Sequence, residues 1–202
     1  TIENIINTNS LTPELFGKKT KHYLKNIENI KIVACGTSYH AGLVALHWLE
    51  SIANISVSVE IASEFRYRKS FISRNTLLIA ISQSGETADT LAAVSHAKKL
   101  GIKETLAICN VQESTLIRKC SMFFLTRAGQ EIGVASTKAF TTQLAALFVF
   151  TLLLAKNKKL IEETTEKKLI KELRHLPTAL SSIIAAENEF KKWTPYFKNK
   201  KN

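Results

Sequence analysis

The apolar residues of this chain fall into short unbroken runs and longer stretches with helical spacing, and the two kinds alternate. Leu77-Leu78-Ile79-Ala80-Ile81 is such a run, the pattern of a parallel strand buried on both faces. Behind it Ala88, Leu91, Val94, Ala97 and Leu100 step along one side of a helix, Ala92 widens the stripe, and Gly101 offers a C-terminal stop. The same order occurs earlier, where Lys31-Ile32-Val33-Ala34 predicts the first strand and Ala41, Ala45, Trp48 and Ile52 mark one face of the next helix. Val57-Ser58-Val59-Glu60, Thr105–Cys109 and Met122–Leu125 predict the second, fourth and fifth strands. Pro13 to Asn26 is expected to be a helix leading into the first strand. Leu144 to Ala155 is apolar except for Thr151 and too short to span a bilayer, so it is expected to be a core helix. Beyond it, helical patterns at Leu160 to Leu176 and Thr178 to Trp193, separated by Pro177, predict an antiparallel pair or a linker.

Strands that alternate with helices specify an open, mostly parallel sheet with helices on both faces, and its ligand crevice lies at the carboxyl ends of the strands. Two hydroxyl-rich turns occupy such ends. Cys35-Gly36-Thr37-Ser38 follows the first strand, and Ser82-Gln83-Ser84-Gly85-Glu86-Thr87 follows the third. A turn there aims the free N–H groups and positive dipole end of the next helix at whatever sits above the sheet. Ser82, Ser84 and Thr87 add hydroxyl donors, and Gly85 is expected to let a ligand approach the backbone. The combination suits a phosphate; one such residue alone would be ordinary capping. A third polar loop, 128–140, opens the long apolar helix and carries Glu131 and Lys138. Glu86 is expected to serve the N-terminus of the helix that follows it.

Composition changes this picture little. The 202 residues are 45% hydrophobic and 22% charged, ordinary for a soluble α/β domain. The net charge of +11 invites a nucleic-acid reading. The excess sits mostly in scattered lysines near the termini, without aromatic interleaving, so no nucleic-acid partner is expected. Arg66, Arg68 and Lys69 cluster after the second strand. Cys35, Cys109 and Cys120 lack metal-ligand spacing, and the five histidines are scattered; no metal and no cofactor is expected. Free thiols and the lack of a visible cleavable signal fit a cytoplasmic protein with no membrane partner. There is no Gly-x-Gly-x-x-Gly, Walker-type or Gly-x-Ser-x-Gly motif, which removes the usual anchors of dinucleotide binding, nucleotide binding and hydrolase chemistry.

These two turns, with Glu60 to Arg68 and Glu131 to Phe140, closely resemble the first sugar isomerase (SIS) domain of the glutamine–fructose-6-phosphate aminotransferases, the glucosamine-6-phosphate synthases, over roughly residues 20 to 190. The resemblance implies a three-layer αβα sandwich on a five-stranded parallel sheet, flavodoxin-like or Rossmann-like. It implies that Ser82, Gln83, Ser84 and Thr87 hold the phosphate of a hexose 6-phosphate, fructose 6-phosphate or glucosamine 6-phosphate, while Cys35, Gly36, Thr37, Ser38, Val134 and Ser136 line the sugar. The family's glutaminase cysteine, and the glutamate, histidine and lysine of its second SIS domain, map onto no residue here. The chain is therefore expected to be a piece, with 1–19 a linker, 20–156 the phosphosugar-binding domain and 157–202 helices leading toward a second SIS domain. In the intact enzyme, expected to be a homodimer, it would help form glucosamine 6-phosphate from fructose 6-phosphate and glutamine-derived ammonia, and alone it would be inactive. No catalytic residue is assigned, with Glu131 the one candidate. The alternative is a non-catalytic phosphosugar sensor on the same fold.

Overall fold

The computed structural model describes residues 10–131, 136–198 and 200. Strands β1 (Asn29–Ala34), β2 (Ser56–Ile61), β3 (Thr76–Ser82), β4 (Glu104–Cys109) and β5 (Met122–Leu125) form one sheet in the order β2-β1-β3-β4-β5, with every neighbouring pair parallel. The helices are α1 (Thr20–Leu24), α2 (Gly36–Ala53), α3 (Ala62–Phe65), α4 (Ala88–Lys99), α5 (Thr115–Lys119), α6 (Lys138–Asn157), α7 (Glu163–Ala185), α8 (Glu187–Lys191) and α9 (Thr194–Phe197).

Successive strand residues point to opposite faces of the sheet, so each face has its own core. Ile30, Ile32, Leu77, Ile79, Ile81, Leu106 and Ile108 pack with Ala45, Leu49, Leu147 and Phe150 from α2 and α6. Val33, Leu78, Ala80 and Ala107 pack on the other side with Phe65, Ala93, Val94, Ala97 and Leu116 from α3, α4 and α5. All seven residues of β3 are buried, which is why that strand reads as a continuous apolar run. The result is the expected three-layer sandwich. Helix α6 has a window with mean hydropathy 1.6, apolar enough for a bilayer by length and composition, but 67% of that window is buried inside the fold.

Several local expectations change. The segment Pro13 to Asn26 is not one helix: a 3-10 turn at Pro13–Phe16 ends at Gly17, whose φ of +122° breaks the helical path before α1 begins. The linker expected at 1–19 supplies buried Leu11 and Phe16 to the larger core, so within the described residues the domain begins before residue 20. Beyond the expected boundary at 156, α7 adds Ile170 to the same core. Pro177 separates nothing, because α7 runs through it. A proline there removes one N–H while the helix bonds on either side persist, and so the antiparallel pair does not form. The stripe on α4 is rotated from the expected one: Thr90, Ala93, Val94 and Ala97 are buried, whereas Ala88 is exposed. On α2, Leu49 and Ala53 take the fully buried positions next to Ala41 and Ala45, leaving Trp48 half-buried against Phe148 with ring centroids 5.2 Å apart.

Candidate functional site

The order of strands reverses between β1 and β3, which lie side by side with Ala34 level with Ile81. Such a switch point opens a crevice at the carboxyl edge of a parallel sheet. Here the crevice is a cleft of about 300 Å³ lined by Cys35, Gly36, Thr37, Ser38, Ile81, Ser82, Gln83, Ser84, Thr87, Thr90 and Ser136. The structure thus brings the two hydroxyl turns and Ser136 from the third loop together. Every sequence-predicted binding residue lies in this wall except Val134, which falls outside the described residues.

The hydroxyls organise the loop and do not cap the helix after it. Ser82 Oγ accepts the Gly85 N–H at 3.0 Å and meets Thr87 Oγ1 at 3.2 Å, and Ser84 Oγ accepts the Glu86 N–H at 3.2 Å. Thr87, the N-cap of α4, makes no side-chain capping bond, and neither does Cys35 at the start of α2. First-turn N–H groups of both helices are therefore left without a side-chain acceptor, and each helix end carries roughly half a positive charge. No charged residue is among those described in the lining, so attraction for an anion comes from dipoles and hydroxyl donors.

Residues 23–153, more than half of the chain, match the family model of the SIS domain. This chain belongs to the SIS domain family. It is 54% identical over 193 residues to the glutamine–fructose-6-phosphate aminotransferase (isomerizing) of Bordetella parapertussis, covering 96% of this chain and 32% of that protein. It is 52% identical over 202 residues to the enzyme of that name from Idiomarina loihiensis, covering 100% of this chain and 33% of the relative. The C-terminal domain of glucosamine-fructose-6-phosphate aminotransferase from Francisella tularensis superposes with a TM-score of 0.90 at 42% identity, over 98% of this chain and 57% of that one. The chain spans about a third of the length of these curated relatives.

Within the SIS domain, Gly85 has a different reason from the one expected. Its φ is +69°, and a Cβ would lie 2.4 Å from Ser114 Oγ and 2.7 Å from Cys109 Sγ. The close approach the structure shows is to Cys109 and Ser114, at the end of β4 and in the loop after it, and Gly85 is not among the described residues that line the cleft. Glu86 also turns away from its own helix: its Oε1 accepts the Thr115 N–H at 2.7 Å, at the start of α5. That hydrogen bond holds its carboxyl below the usual carboxylate range. Glu131 is likewise a helix anchor, since its Oε2 accepts the Ala139 N–H of α6 at 3.1 Å. It borders a neighbouring cavity of about 580 Å³ with Gln83, Asn110 and Arg127, and does not line the cleft. Lys138 begins α6 and is exposed.

The cationic cluster after β2 ties elements together: Arg66 pairs with Asp89 at 2.6 Å and Arg68 with Glu60 at 2.7 Å. Of the free thiols, Cys35 lies in the cleft wall and Cys109 is buried beside Gly85, while burial pushes the Cys120 thiol up to about 11. Sequence reasoning missed Ile81 and Thr90 in the lining. Thr90 Oγ1 is buried and has no hydrogen-bond partner among the described residues. Its place one helical turn beyond the Ser82 loop was the signal that could have found it.

Proposed function

We propose that this chain is the phosphosugar-binding half of the isomerase domain that forms glucosamine 6-phosphate from fructose 6-phosphate and glutamine-derived ammonia. The observation that carries the proposal is the cleft at the β1/β3 switch point, with no charged residue in its described lining, where two helix N-termini without side-chain caps converge among hydroxyls. Its volume, about 300 Å³, is at the small end of ligand sites and suits one hexose phosphate. The names of the Bordetella, Idiomarina and Francisella relatives, aminotransferases acting on fructose 6-phosphate, support the reaction class.

In this reading Ser82, Gln83, Ser84 and Thr87, with the first turn of α4, receive the phosphoryl oxygens. Cys35, Gly36, Thr37, Ser38, Val134 and Ser136 take the sugar. Moving a proton between adjacent sugar carbons needs a positioned acid or base. The described lining residues include no carboxylate, imidazole or ammonium, so the reading gives this chain binding and orientation, and gives proton transfer to groups outside it. A homodimeric intact enzyme and a cytoplasmic setting belong to the same reading.

Calorimetry with fructose 6-phosphate tests it. Hydrogen bonds to charged groups are worth about 1.5–3 kcal/mol, so Ser84→Ala is expected to weaken binding roughly tenfold or more while the domain stays folded. An affinity unchanged by Ser84→Ala would reduce this loop to a structural turn.

A further inference from the structure

Gln143 stands out on α6. It is 2% exposed, on a helix face otherwise made of Ala139, Ala146, Leu147 and Phe150. Its Nε2 donates to Ser38 Oγ at 3.0 Å, across 105 residues of chain, and its Oε1 has no partner among the described residues. An aliphatic side chain there would pack on α2 without stranding a carbonyl, so the carboxamide is retained at a cost. In the orientation seen, one N–H donates to Ser38 and Oε1 is unpartnered among the described residues; turned over, Oε1 would accept from Ser38 and both N–H donors would point where Oε1 now does.

We propose that Gln143 is a positioning residue of the cleft, which acts through Ser38 to set the direction of that residue's hydroxyl proton. The inference rests on the phosphosugar reading of the cleft and deepens it. An amide N–H can only donate, so Ser38 Oγ must accept from it, and the Ser38 proton is left for another acceptor. Ser38 lines the cleft, in the first turn of α2. Without Gln143, the Ser38 hydroxyl is free to rotate and can turn its proton toward a nearby backbone carbonyl, such as that of the N-cap Cys35 three residues before it. With Gln143 in place the hydroxyl is presented as a donor to a sugar oxygen. Glu131 fastens the same helix at Ala139, so α6 holds Gln143 and its entry loop carries Ser136 into the cleft wall.

The Ser38 end and the Ser82 to Thr87 end of the cleft are separable by ligand. Fructose 6-phosphate engages both; inorganic phosphate engages only the second. In the 202-residue chain, Gln143→Met removes the donor at nearly constant volume, and Gln143→Glu replaces it with an acceptor that claims the Ser38 proton. Both variants are expected to weaken fructose 6-phosphate binding roughly fivefold or more, Gln143→Glu the more severely, while the inorganic phosphate affinity stays within about twofold. Combined with Ser38→Ala, Gln143→Met is expected to add no further loss, because the two act as one unit. Parallel losses for both ligands, additive losses in the double variant, or fructose 6-phosphate binding untouched by Gln143→Met would each overturn the inference and leave the phosphosugar reading standing. Failure of the wild-type chain to bind fructose 6-phosphate would instead sink that reading and this inference with it.

Discussion

Gly85 shows how one position can be chosen for two reasons at once. Its φ of +69° is a left-handed conformation that L side chains adopt at a cost of about 1–2 kcal/mol, and the space a Cβ would need is taken by Ser114 and Cys109. Overpacking of that kind adds about 1–3 kcal/mol. Gly85→Ala is therefore expected to destabilise the domain by roughly 2–5 kcal/mol and to lower its Tm by about 5–20 °C, which a thermal melt followed by circular dichroism would show. A melt matching wild type would mean that the loop after β4 yields without cost. The two hydroxyl turns of the cleft were legible in the sequence because hydroxyls and glycine cluster there after apolar runs, whereas Ser136 was placed by resemblance and Ile81 and Thr90 were missed. The partner of Gly85 was not legible, since Ser114 belongs to another turn that only folding brings near.

Elements were easiest to read where burial on both sides removed polar residues, as in β3, and hardest where one face decided. On α4 the apolar residues outnumber the buried positions, so the buried stripe could not be chosen from spacing alone. Glu86 illustrates the same limit at a helix end. Its carboxylate was expected to serve α4, but it accepts the first N–H of α5 and links the loops after β3 and β4 together with the Leu116 N–H to Gly85 carbonyl bond of 3.1 Å. Because this bond depresses the folded-state pKa, its stabilisation is fully present above the unfolded carboxylate value of about 4.3 and is lost as pH falls through the lower folded value. Melts of wild type between pH 5 and pH 3 are expected to lose Tm more steeply than those of Glu86→Gln. Identical slopes would show that the bond contributes nothing to folding.

At the scale of the whole molecule, Glu166 closes the larger core. It is 1% exposed, accepts the Leu11 N–H at 2.7 Å and pairs with Lys156 at 3.0 Å, joining the N-terminal segment, α6 and α7. Lys156 is about a third exposed and regains water when its partner is lost, so Glu166→Ala is expected to cost about 2 kcal/mol, below the range for a fully buried pair. The check is urea unfolding, with a lower midpoint and unchanged slope; an unchanged midpoint would mean that residues 10–19 dock independently of this bond. The sequence by itself determined the class of the fold, the five strands and the polar turns that bear the site, because burial and turn chemistry leave their marks on neighbouring residues. It could not assign the N-terminal segment to the core, carry α7 through Pro177, or join Gln143 to Ser38. Those depend on which helix lies against which, a free energy summed over contacts between residues far apart in the chain. The strand order β2-β1-β3-β4-β5 belongs to the same level: by setting β1 beside β3 it converts two separate turns into one cleft.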